Sequence, residues 1–341
     1  MRHHVLSLAL IAFATISHAF EIEDHRGFGA DEAIHELRII STADIDVFEP
    51  IVERFLEENP RVSIEYTVAS SAQIMQALTV ENASFDIVIS SAMDLQTKLA
   101  NDGFSRAHRS SATQELPEWA KWRDHLFAFT QEPAAIVVSR KAFDGLPLPR
   151  TRQELITVLR DHPDRFRGRI GTYDLRTSGL GYLFATQDAR TSETFWRLTE
   201  VMGGLDPKLF CCSSDMIDAV ASEELAVAYN VLGSYALARR DEGAFEILLP
   251  QDFTTVMLRT ALVPQNARDP ELAGSFIDHL LQFTWNTTAF DGFPFSQFNP
   301  NATPQDAHLR RIRMGPGLLV YLDQYKKRIF QTEWERAILQ N

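Results

Sequence analysis

The stretch "ELRIISTADIDVFEPIVERFLEENP", Glu36 to Pro60, decides the fold. Leu37 to Ile40 is a short apolar run of the kind that makes a buried strand. Ser41-Thr42-Ala43-Asp44 follows, rich in side chains that cap helices. Phe48, Ile51, Val52, Phe55 and Leu56 then recur at helical spacing, and Asn59-Pro60 stops the helix. The same order returns twice. "VSIEYTVAS" is a strand that runs into Ser70 and Ser71 before the helix "AQIMQALTV". "FDIVISSAMD" is a strand that ends in Ser90 and Ser91 before the helix "DLQTKLAND". Strand, small hydroxyls, helix, three times over, predicts a parallel α/β sheet. In such sheets ligands sit beyond the carboxyl ends of the strands, where helix N-termini present free N–H groups. One serine there is as well explained as a cap. Three pairs in register on one rim, with Ser41 and Thr42 as the first, point to a binding site.

The second half repeats this grammar. "LFAFT" and "EPAAIVVS" are strands that suit a crossover into a second unit, and Glu132 between them reads as a hinge residue. "GRIGTYD" is a strand followed by Arg176, Thr177, Ser178 and Gly179 and then an apolar helix. Arginine pairs two-pronged with phosphate or carboxylate, so this junction is the sharpest candidate for an anion cradle, the alternative being a surface salt bridge. "LAVAYNVL" ends a further strand at Asn230, and Gly233-Ser234-Tyr235 opens the next helix; Asn230, Ser234 and Tyr235 are the remaining candidates, with Ser213 and Ser214 weaker. "FEILLP" and "TTVMLRTALVP" are apolar strands suited to carry the chain back. Residues 20 to 35 are polar and read as a flexible leader, and the chain after Asp269 reads as helical.

Composition narrows the function. The chain has 341 residues, enough for two domains, and a net charge of -13, which disfavours nucleic acid and anionic membranes as partners. The start "MRHHVLSLALIAFATISHAF" reads as a cleavable signal peptide over residues 1–19, being too short for a membrane span. The two cysteines, Cys211 and Cys212, are adjacent. They read as two small buried residues, with a vicinal disulfide as the alternative. No zincin, G-x-S-x-G or Cys-His pattern occurs, and Gly179-x-Gly181 lacks the third glycine of a dinucleotide site, so no enzyme, cofactor or metal site is expected.

Taken with their order, "LRIISTADIDVFEPIVERFLEENP", "FDIVISSAMD", "EPAAIVVSRKAF", "GRIGTYDLRTSGLGYLFA" and "AVAYNVLGSYAL" resemble periplasmic solute-binding proteins of ABC importers over about residues 36 to 290. The likeness is to the branch that holds ferric-iron binders and relatives taking sugar phosphates or phosphoglycerate. It implies an α/β protein with the two-domain type II fold and a double-crossover hinge. The first domain would comprise residues 36–132 and 257–300, the second 133–256, and residues 301–341 a C-terminal helical extension. It implies a monomer in the periplasm that captures a small organic anion, such as a phosphorylated sugar or acid, for a permease. A sensing protein that partners a membrane histidine kinase is the alternative. Iron-binding relatives carry two consecutive tyrosines; this chain has Tyr229-Asn230 and no Tyr-Tyr pair, which counts against ferric iron.

Overall fold

The computed structural model describes residues 19–30, 32–239, 243–285 and 308–340. The signal-peptide reading falls almost wholly outside them. The first half of the chain runs β1 (Asp24–Phe28), β2 (His35–Ser41), α1 (Ile45–Glu58), β3 (Val62–Val68), α2 (Ser71–Thr79), β4 (Ile87–Ser90), α3 (Met93–Asn101), β5 (Ser105–Arg106), α4 (Ser111–Glu115), β6 (Lys121–Trp122) and β7 (Leu126–Ala128). It continues with β8 (Glu132–Ser139), α5 (Arg152–Asp161), α6 (Pro163–Phe166), β9 (Ile170–Tyr173), α7 (Gly179–Thr191), α8 (Thr194–Gly203), β10 (Lys208–Phe210), α9 (Ser213–Ala221), β11 (Val227–Leu232) and α10 (Gly233–Ala238). The remaining elements are β12 (Phe245–Leu248), β13 (Thr254–Met257), β14 (Thr260–Pro264), α11 (Pro270–Trp285), β15 (Leu309–Arg311), a 3-10 helix (Pro316–Leu322) and α12 (Gln324–Ile338).

These strands form two sheets. The first has the order β1-β3-β2-β4-β14-β7-β6, with β5 against β14; the second has β10-β9-β11-β8-β13-β15, with β12 against β8. β2 lies between β3 and β4, parallel to both. Helices cover its two faces, so Leu37, Ile39 and Ile40 are all fully buried rather than alternating. α1 turns Phe48, Ile51, Val52 and Phe55 onto the sheet. The helical spacing of those four residues is therefore their burial pattern.

Two departures from the sequence reading concern the ends. Residues 20–35 were expected to be a flexible leader, but β1 pairs antiparallel with β3 along the edge of the first sheet. Arg26 of β1 holds Asp46 and Glu49 of α1. Gly29 closes the strand at φ +99°, where a Cβ would come within 2.8 Å of the Val62 carbonyl oxygen. A polar edge strand carries no apolar period, which is why its sequence reads as loop. Among the residues expected as a helical extension, β15 is a strand, and it joins the second sheet parallel to β13. α12 then packs on α8 of the second domain, and the 3-10 helix packs on α3 of the first. The C-terminal segment therefore touches both domains.

The chain crosses between the sheets at two adjacent linkers, β7 to β8 and β13 to β14. They are tied together. The Phe129 N–H donates to the Arg259 carbonyl at 3.0 Å, and the Arg259 N–H donates to Thr130 Oγ1 at 3.1 Å. Glu132 and Arg259, both fully buried, form a salt bridge of 2.9 Å, and the Ser234 hydroxyl donates to the same carboxylate. Glu132, read from the sequence as a hinge residue, stands at the crossing and is bonded there to side chains of both linkers, Thr130 and Arg259.

Candidate functional site: the interdomain cleft

The carboxyl ends of the parallel strands in the two sheets face each other across a cleft. Thr42, Asp44, Ser70, Ser71 and Ser91 line it from the first domain, and Tyr173, Thr177, Ser178, Ser213, Ser214 and Tyr235 from the second. Ser70 caps α2, its Oγ accepting the Gln73 N–H at 3.3 Å. Ser178 caps α7, its Oγ accepting the Gly181 N–H at 3.1 Å. Ser213 opens α9 and its hydroxyl meets that of Tyr173. Three helix N-termini from two domains thus aim at one space, each with partial positive charge and free N–H groups.

The domains touch across this space. The Gly179 N–H donates to Ser71 Oγ at 3.2 Å, and the Asp44 N–H donates to the Tyr235 hydroxyl at 3.3 Å. A Cβ on Gly179 would come within 2.2 Å of Ser71 Oγ, and one on Gly181 within 2.2 Å of the Tyr173 Cβ. The two glycines of "RTSGLG" therefore serve close approach, the first between domains and the second within one.

The sequence candidates separate into three groups. Thr42, Ser70, Ser71, Ser91, Thr177, Ser178 and Tyr235 line the cleft, with Gly179 at the interdomain contact. Ser41, Ser90, Asn230 and Ser234 lie behind it. Ser41 Oγ accepts the Ala43 N–H and Ser90 Oγ the Ala92 N–H, so both are turn residues. Asn230 donates to Asp188 at 2.8 Å inside a buried network with Arg152 and Tyr229, and Ser234 belongs to the hinge. Arg176 stands apart from both groups. Its guanidinium grips Asp174 two-pronged, at 2.8 and 2.6 Å, and its side chain is 44% exposed; it borders a neighbouring cavity, not the cleft.

The cleft also holds residues that the sequence reading passed over. Glu23 and Asp44 are carboxyls at its lining, and among the described residues no lysine or arginine lines it. Burial pushes both carboxyls upward, helped in Glu23 by the charge of Asp44, while Arg259 pulls Asp44 back. Asp44 was visible in the sequence as a helix cap. Glu23 was not, because it precedes the unrecognised edge strand. Cys211 and Cys212 are joined to each other at the rim of the cleft, Cys211 exposed and Cys212 half-buried. The expectation of two buried thiols is thereby corrected. They stand between the end of β10 and the start of α9, at the rim of the cleft rather than in the core. With Asp215 they are the sole metal-sized cluster of ligating residues among the described residues, and the bond leaves them no thiolate to offer. Tyr229 is likewise committed: its hydroxyl donates to Asp188 at 2.9 Å and accepts from Arg152 at 2.7 Å.

Two α/β domains, a paired hinge and a cleft walled by helix N-termini define a type II binding protein, a class that traps a solute by closing. The chain belongs to the bacterial extracellular solute-binding protein family, whose model matches residues 37–283. The crystal structure of the substrate-binding protein of the ABC transporter from Agrobacterium tumefaciens is similar at 30% identity and a TM-score of 0.84, covering 92% of this chain and 98% of that one. The periplasmic binding protein AfuA from Actinobacillus pleuropneumoniae, with exogenous fructose-6-phosphate bound, shares the fold at 16% identity and TM-score 0.71, over 90% and 99% of the two chains. Iron-bound HitA from Pseudomonas aeruginosa shares it at 15% identity and TM-score 0.65, over 89% and 99%. No curated protein matches the chain. The chain is thus a solute-binding protein of the kind that serves ABC transporters, and an extracellular family fits an exported chain.

Proposed function

We propose that this protein captures a small organic anion, of the class of phosphorylated sugars or acids, in the interdomain cleft and delivers it to the permease of an ABC importer in the periplasm. One observation carries the reading: the N-termini of α2, α7 and α9 converge there with hydroxyls and, among the described residues, without a basic side chain. Such an array receives an anion through N–H groups and dipoles. Thr42, Ser70, Ser71, Ser91, Thr177, Ser178 and Tyr235 would touch the solute. The shifted carboxyls of Glu23 and Asp44 would meet its hydroxyls. With the domains in contact the cleft holds about 70 Å³, the volume of a shut trap, so the solute enters an opened form and the hinge at Glu132 and Arg259 turns.

Thermal unfolding of the mature protein against sugar phosphates, phosphoglycerates, carboxylates, neutral sugars, polyamines and ferric citrate tests this. A solute at 100 times its Kd stabilises by about 2.7 kcal/mol. The expected result is a shift with a phosphorylated or carboxylated compound, with Kd raised about tenfold, or about 1.4 kcal/mol, by Ser70→Ala combined with Ser178→Ala. A shift confined to neutral sugars, polyamines or ferric iron would overturn it.

A further inference from the structure

A second cavity lies on the far side of the Thr177–Gly179 turn from the cleft. It has a volume of about 320 Å³, within the range of small-molecule sites. Its walls come from three places: α2 and α3 of the first domain, the start of α7 in the second, and the C-terminal segment. Met75, Leu95, Leu175 and Leu322 make it largely apolar.

One acid sits in that apolar wall. Asp94, in the first turn of α3, is 2% exposed, and its Oδ1 accepts the N–H of Leu95 at 2.9 Å. Among the described residues it has no salt bridge and no side-chain hydrogen bond. A buried carboxyl held by one backbone N–H and no counter-charge is costly, and the cavity is the direction from which a cation could come. Three cations also border the space. Lys98 is held by Asp102 and Arg176 by Asp174. Lys327 of α12 has no salt bridge among the described residues. Its ammonium stands 5.4 Å from the centroid of the Tyr182 ring, and its charge reaches Asp94. The cavity therefore offers one buried acid, one ammonium outside any salt bridge of the described residues, and apolar walls.

We propose that this cavity is a second binding site, for a zwitterion with an apolar tail, the chemistry of an apolar α-amino acid. The amine would meet Asp94, the carboxylate Lys327, and the tail Met75, Leu95 and Leu322. Both domains and the C-terminal segment build the site, so it is whole only when the domains are together. An occupant that binds the closed form favours that form, and so favours retention of whatever the main cleft holds. The proposal stands apart from the identity of the cleft solute.

Calorimetric titration of the mature full-length chain with L-leucine tests it, with isopentylamine and isocaproate as probes lacking one charge each. Leucine is expected to saturate one site and to bind about tenfold or more tighter than either probe. Asp94→Asn and Lys327→Gln are each expected to weaken it about tenfold, while Ser214→Ala, at a residue that borders only the main cleft, leaves it unchanged. Met75→Trp, which fills the cavity and keeps both charges, is expected to abolish binding and covers the case in which Asp94→Asn fails to fold. Absence of saturable binding overturns the proposal. So does equal binding of isopentylamine, full binding in the Asp94 or Met75 variant, or loss in Ser214→Ala, which would move leucine to the main cleft.

Discussion

A single carboxyl gives the clearest prediction at the scale of the residue. Burial pushes Asp94 from its ordinary 3.8 up to about 7. Its folded value is raised, so the folded state binds the proton more tightly than the unfolded one. Its contribution to stability is greatest below the ordinary value and is lost as pH rises through about 7. Without ligand, Asp94→Asn is therefore expected to gain stability over the parent as pH rises. Thermal unfolding of both proteins between about pH 4 and about pH 8 measures that gap, and a gap independent of pH would refute the assignment. The residue scale is also where the sequence is least legible. Ser70 and Ser178 are readable as cleft-lining residues because each sits between a strand end and a helix, and that position alone places them on the rim. Arg176 occupies the same kind of junction, yet Asp174, two residues earlier, takes its guanidinium. Nothing in spacing decides between a nearby carboxylate and a ligand. Asn230 fails for a different reason: it adopts φ +62° in an irregular stretch of β11, which turns its side chain to Asp188 beneath the sheet.

Elements buried on both faces are readable because they must be continuously apolar, as β4 and β8 are. Elements at an edge or an end are not. β1 reads DHRGF and β15 reads LRR, and both exist through their neighbours' hydrogen bonds rather than through an apolar pattern of their own. α12 is readable as a helix but not as an anchored one. Phe330, 5% exposed, fixes it. Its ring lies 5.3 Å from Trp196, 5.7 Å from Tyr182, 5.7 Å from Tyr321 and 6.2 Å from Phe195. α8 and α12 approach so closely that a Cβ on Gly203 would come within 2.1 Å of the Ala337 carbonyl oxygen. Removing the ring leaves a cavity that these backbones are poorly placed to close. Phe330→Ala is expected to cost about 3–5 kcal/mol in denaturant unfolding. A loss below about 1 kcal/mol would mean that α12 merely lies on the surface.

At the scale of the whole molecule the question is how two domains are held as one. The first crossing is readable from "LFAFT" and "EPAAIVVS", which only Gln131 separates, and the second from "TTVMLRTALVP", a single apolar run that holds two strands with no helix between them. The lock between the crossings is not readable, because Glu132 and Arg259 are 127 residues apart. In the fold each linker supplies one member of a fully buried ion pair, and Thr130 and Ser234 fill the rest of the carboxylate. A buried pair of this kind contributes little net stability while intact, but removing one partner strands the other, at about 3–5 kcal/mol. Glu132→Gln removes the charge that faces Arg259 at the hinge, where the two crossings meet. The loss should therefore appear as lost coupling between domains as well as lost stability. The variant is expected to unfold in two separable steps, followed by intrinsic fluorescence of tryptophans in different domains, Trp119 and Trp122 in the first and Trp196 in the second. Phe330→Ala is expected to weaken chiefly the second domain, where Phe195 and Trp196 lie. A single Glu132→Gln transition at the parent's midpoint would mean that the interdomain contacts at Gly179 and Tyr235, rather than the hinge pair, hold the molecule together.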